Sequence, residues 1–151
     1  MKTMAPSRQA GVMLIEALIG ILIFSIGILA LIGMQATAVK NTTDARYRSD
    51  AAYLANSIIA QMRLDVPNAA AYDDGSAGAF APRTTWRTQV ESTLPGVNIA
   101  GNLRVPSIAV VAGPTFAGDT QPSSQVTVTL TWMQPSETQQ HQFQMIGYVS
   151  Q

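Results

Sequence analysis

The chain has 151 residues, with nine Lys and Arg against nine Asp and Glu, one histidine and no cysteine. That length holds one domain with one modest core. The balanced charge directs no overall basic field at nucleic acid, and the absence of thiols excludes disulfides, metal thiolate centres and cysteine redox or nucleophilic chemistry.

In chain order, Met1 to Ala10 carries Lys2 and Arg8 and no acid. From Ala17 through Val39 there is no charged residue at all. At a rise of about 1.5 Å per residue, a helix over that run is long enough to cross a bilayer core of roughly 30 Å. Glu16 stands just inside its start, where an unpaired carboxylate costs on the order of 2 to 3 kcal/mol in hydrocarbon. Its position therefore asks for a partner, the alternative being a carboxylate that snorkels to the headgroups. The leader is too short and polar to contain the apolar core of a secretory signal, and the small residue, Gly11, precedes the apolar run instead of following it. If cleavage falls after Gly11, only the basic leader, residues 1–11, is lost and the mature chain begins at Val12. The remaining seven basic residues then face nine acids. The two leader cations favour a cytoplasmic N-terminus, which puts everything after Lys40 outside the inner membrane.

Gly20, Gly27 and Gly33 interrupt the apolar run, each lowering helix propensity by roughly 1 kcal/mol relative to Ala. Small residues of this kind permit close packing between membrane helices. Residues 12–34 form the membrane half of the helix and residues 35–66 an amphipathic half. In the latter, Tyr47, Ala51, Leu54, Ile58 and Met62 recur at helical spacing while Asn41, Asp44, Arg48, Asn56 and Arg63 fall mostly on other faces. Asp65-Val66-Pro67 ends it, because a residue before proline avoids the helical region. A helix from about Val12 to Leu64 is ~80 Å long, more than one bilayer needs, so its second half is expected to pack on the globular part, residues 67–151.

Pro67 to Arg83 reads as an irregular connector. Within it, Tyr72-Asp73-Asp74-Gly75 offers too few oxygen ligands for calcium and reads as a solvated turn. Thr84 or Thr85 is placed to cap a short helix with Trp86, Val90 and Leu94 on one face, closed by Leu94-Pro95-Gly96. Ser107 to Ala112 suits a short buried strand, and Thr115 to Ser124 a polar loop. Gln125 to Met133 alternates Val126, Val128, Leu130 and Trp132 with threonines, the pattern of a half-buried strand. After turn residues at Pro135-Ser136-Glu137, His141 to Val149 returns with Phe143, Met145 and Val149 on one side. Neither this small antiparallel sheet nor the helix hides its apolar face alone, so an α+β fold with the sheet laid across the helix is expected.

No catalytic constellation is present. His141 is alone in a Gln-rich context and reads as a surface residue, and Arg83, Arg87 and Arg104 are too scattered for a phosphate-binding patch. The aromatic residues read as core. No metal, cofactor or enzymatic activity is expected.

The order of basic leader, Gly11, four apolar residues, Glu16 and a long apolar helix resembles the signal of type IV pilins and of the pseudopilins of type II secretion. Ser25-Ile26-Gly27-Ile28-Leu29-Ala30-Leu31-Ile32-Gly33-Met34-Gln35 is similar to the helix of PilV-type minor pilins, the type IV pilus modification proteins, as is the Trp86-led helix closing in Leu-Pro-Gly. The resemblance implies the pilin fold, cleavage between Gly11 and Val12 by prepilin peptidase, N-methylation of Val12, and an assembly salt bridge from Glu16 to the new amino group of Val12, on its own or an adjacent subunit. It implies partial unwinding near Gly27 and Gly33, although the proline common there in major pilins is absent. The function implied is a minor pilin that primes pilus assembly at the tip and supports twitching motility and adhesion, first in the inner membrane and then in the fibre at the cell surface. Its partners would be the other minor pilins, the major pilin, the inner-membrane assembly platform and a large tip adhesin. A minor pseudopilin of type II secretion shares the same signal, and a signal-anchored periplasmic enzyme or binding module shares only the anchor. Cysteine is absent, so the disulfide-closed C-terminal loop of many pilins is missing here.

Overall fold

The computed structural model describes residues 10–113, 123–135 and 137–150. Helix α1 (Ala10–Leu64) is followed by a 3-10 helix (Val66–Tyr72), helix α2 (Ala81–Thr93) and strands β1 (Ser107–Ala112), β2 (Ser124–Trp132) and β3 (His141–Val149). The architecture is α+β, with one long N-terminal helix and one three-stranded antiparallel sheet in the order β1-β2-β3. The chain divides into two compact units, residues 1–44 and 45–151, and α1 contributes to both.

In the first unit α1 is long and apolar enough to cross a membrane, none of its most apolar stretch is buried by the chain itself, and it is a candidate membrane anchor. Its polar side chains suit that setting. The hydroxyls of Ser25 and Thr37 donate to the carbonyls of Ile21 (2.7 Å) and Gly33 (3.1 Å) one turn back, so neither presents an unmet donor to an apolar surrounding.

The second unit is built on the other end of α1. Ala51, Leu54, Ala55, Ile58, Ile59 and Met62 are all buried, a stripe at the i, i+3, i+4, i+7 spacing that places one helix face against a core. Tyr47 packs at its margin. Against this stripe lie the inward residues of the central strand, Val126, Val128, Leu130 and Trp132, each buried, with Ile108 of β1 and Val149 of β3. The alternation read in β2 is thus the inner face of a sheet, displaced one residue toward the N-terminus, and the threonines between are half-buried on the outer face. Gly147 lies on the inner face, where a Cβ would come within 3.0 Å of Ile59. The helix side chain occupies the space a larger residue would need.

Three expectations are corrected. The stretch after α1 is not irregular: Pro67 stops the α-helix but is accepted in the first turn of the 3-10 helix that follows, and Ala69 and Tyr72 from it join the core. Helix α2 starts at Ala81, before either threonine, because Pro82 sits in its first turn, where no backbone donor is required. Thr84 bonds back to the Phe80 carbonyl with its hydroxyl instead of capping the helix. Its other end is as expected: Leu94 closes the helix with its N–H on the Val90 carbonyl, and Gly96 follows at φ +74. A Cβ on Gly96 would also lie 2.9 Å from the Met133 carbonyl oxygen, so glycine is required there twice over. Strand β1, thirdly, buries only Ile108 fully, since it is an edge strand. Most of the expected loop from Thr115 to Ser124 lies outside the described residues, as does Ser136 of the turn.

Candidate functional site

Gly11, Val12, Glu16, Gly27 and Gly33 all lie on α1, which runs unbroken through them. All five are exposed, and a Cβ added at Gly11, Gly20, Gly27 or Gly33 would meet nothing within 4 Å. Packing within the chain therefore gives no reason for these glycines. Ile15 and Leu18, on either side of Glu16, are 62% and 64% exposed, so the chain does not cover the carboxylate. Among the described residues nothing pairs with it; Lys2 and Arg8 of the leader lie outside them. A carboxylate on an uncovered apolar stretch of helix can accept charge-assisted hydrogen bonds from a cation.

Elsewhere several polar groups are engaged in holding the fold. Asp73 and Asp74 are not a solvated turn. Asp74 donates its N–H to the Ile108 carbonyl (3.0 Å), and its carboxylate accepts the Ile108 N–H (3.0 Å) and an Arg87 guanidinium N–H (2.6 Å). Asp73 accepts the Val110 N–H (2.7 Å) and that of Gly75 (2.7 Å). The two acids thereby imitate a strand along the outer edge of β1. Partial burial raises the Asp74 carboxyl above the usual range, opposed by the Ile108 N–H and the Arg87 and Arg83 guanidiniums. Buried Arg83 ties the same segment from below, donating to the Asp73 and Gly78 carbonyls and the Ser76 hydroxyl. Replacing both Asp73 and Asp74 by Ala strips the acceptors from two edge amides, at a cost of about 1–3 kcal/mol each. Hydrogen exchange at Ile108 and Val110 is expected to accelerate while that of β2 and β3 changes little.

Tyr72 is fully buried, edge-on to Phe80 at 4.7 Å, with its hydroxyl donating to Asp65 at 3.3 Å. Burial first, then the charge and hydrogen bond of Asp65, raise it above the usual 10.0. The native state therefore holds this proton more tightly than the unfolded chain, so stability is intact below that value and falls as pH rises through it. Tyr72→Phe is expected to flatten the loss of stability that sets in as pH rises past 10.0, read from urea midpoints of both proteins.

His141 is half-buried, not a surface residue: its ring stacks on Trp132 at 5.6 Å and Nε2 lies 2.6 Å from Glu137. The sequence missed this because the contact joins β2 to β3 across the register. Not every aromatic is core: Tyr53 and Tyr148 are exposed. Among the described residues no group of three or more His, Cys, Asp or Glu is placed to hold a metal. No protein-family model, curated protein or solved structure matches the chain.

Proposed function

We propose that this chain is a minor pilin of the PilV type, with the pilin fold, held in the inner membrane by the first half of α1 until it enters a type IV pilus. Prepilin peptidase cleaves after Gly11, and the amino group of Val12 so exposed is N-methylated. The observation that carries the reading is Glu16: an exposed carboxylate, without a partner among the described residues, one turn into an apolar helix. In the bundle of a growing fibre it pairs with the Val12 amino group of the adjacent subunit. Leaving either charge alone in that setting costs several kcal/mol, so pairing selects one axial register between neighbouring helices. The globular unit supports the reading by its layout, a three-stranded sheet packed on the outer end of the same helix. Glycines at 20, 27 and 33 permit neighbouring helices to approach closely, and Gly27 and Gly33 supply local flexibility on leaving the bilayer.

Joined to the other minor pilins, the protein primes assembly at the tip, on the inner-membrane platform and beneath a tip adhesin, and supports twitching motility and adhesion. No catalytic step belongs to it. The experiment is the N-terminal mass of the protein from its native host: a chain that begins at methylated Val12 is expected, and an intact Met1 start would leave only an anchor. Deletion that abolishes twitching but spares protein secretion separates the pilus from the type II secretion machine.

A further inference from the structure

The two edges of the sheet are treated differently. The outward backbone groups of β1 at Ile108 and Val110 are engaged by Asp73 and Asp74. On β3 the outward groups belong to Gln142, Gln144, Ile146 and Tyr148, as shown by the Tyr148 carbonyl, which faces away from β2 and accepts from Arg63 Nε at 3.3 Å. Among the described residues, nothing bonds to the outward backbone of Gln142, Gln144 or Ile146. Strand β3 contains no Lys, Arg, Asp, Glu or Pro, so apart from Arg63 at the Tyr148 carbonyl, which keeps a second lone pair, the strand lacks the usual devices that keep an edge from pairing with another strand.

From this asymmetry we infer that β3 is an interaction edge and that its occupant is the β3 strand of a second copy of this chain. Backbone donors and acceptors in a row call for an extended segment. The side chains beside them specify its character. Ile146 and Tyr148 on the outer face are 55% and 54% exposed, while Phe143 and Met145 on the inner face are only half-buried. The fitting strand is therefore uncharged, apolar on its inner face and mixed apolar and amide on its outer face, and β3 itself has that composition, with Gln142 and Gln144 beside Ile146 and Tyr148. An antiparallel pairing with Met145 opposite its own copy sets Gln144 against Ile146 and Gln142 against Tyr148. The outward N–H and C=O groups then meet in exchanged pairs, and two three-stranded sheets become one of six strands, with no like charges opposed.

The chain has no native cysteine, so a single introduced thiol reports one position. Full-length Gln144→Cys and Ile146→Cys proteins are mixed in detergent micelles and oxidised. Partners in such a pair stand about 5.5 Å apart at Cα, within disulfide range. The mixed dimer is expected to exceed several-fold the yield from Val111→Cys, an exposed position on β1; association through the apolar helix alone would raise all three alike. Adding Gln142→Pro, which removes an outward N–H and is tolerated at an edge, is expected to return the yield to the Val111→Cys level. Circular dichroism checks that the sheet is retained, and Gln142→Lys takes its place if it is not. A mixed dimer no more abundant than the control overturns the inference, and so does one that survives the edge substitution with the sheet intact.

Discussion

Glu16→Val is expected to leave cleavage after Gly11 intact and to remove the protein from surface pili. The substitution deletes the carboxylate without shortening or charging the apolar helix, so membrane anchoring is retained and improves locally by the roughly 2 to 3 kcal/mol that an unpaired acid costs there. What is lost, under the proposed function, is the acceptor for the Val12 amino group of a neighbour. That amine then stands unpaired in an apolar bundle, and removing one partner of such a pair costs about 3–5 kcal/mol, more than a hundredfold in the population of correctly docked subunits. Gly11→Val acts earlier. Under the proposed function it crowds the bond to be cleaved, so the leader is expected to be retained and no free Val12 amine to form. Mass spectrometry of the native-host protein, with counts of the subunit in sheared pili, separates the two: processed but unassembled for Glu16→Val, unprocessed for Gly11→Val. Normal incorporation of the Glu16→Val protein would sink the salt-bridge mechanism.

The largest effect on stability is expected from Trp86→Ala. Trp86 is buried in α2, and its indole N–H donates to the Leu54 carbonyl of α1 at 2.9 Å. The ring fills the core beside Val90 and Leu94, and the hydrogen bond ties the two helices at one point. Truncation to Ala is expected to cost roughly 3–5 kcal/mol through lost burial and the residual cavity. Set against a typical total of about 5–15 kcal/mol, that is a large fraction. Trp86→Phe retains most of the apolar ring and deletes only the donor, so its cost is expected near 1 kcal/mol from the hydrogen bond, with a small packing increment. Urea midpoints of the full chain in micelles give both values. A Trp86→Ala midpoint within the range of Trp86→Phe would mean that α2 adds little to the core.

The long helix was legible because its signals are local. An uncharged run from Ala17 to Val39 and a stripe from Tyr47 to Met62 each name a helix face without reference to any other residue, and the stop at Leu64 follows from Pro67 two residues beyond the cap position. Strands β1 and β3 fall within the residues expected of them, and β2 within one, because alternation and turn residues are likewise short-range. Glu16 is conspicuous in the sequence as an acid at the start of an apolar run, and the structure adds that its side chain is exposed on α1.

What tertiary structure decided were the roles of groups that meet across long separations. Asp73 and Asp74 look like turn residues in sequence, and only the arrival of β1 some thirty-five residues later turns their carboxylates into an edge cap. Arg83 is scattered in sequence and buried in space, where it organises a segment that composition alone marks as irregular. His141 meets Trp132 because β2 and β3 pair in one register, and Gly147 is small because Ile59 of the helix lies beneath it. Strand order, the covered edge and the open one have the same origin. Periodicity along the chain says which side of an element is apolar, but hydrogen bonds and close contacts between elements depend on where the chain returns, and that is settled by packing of the whole core.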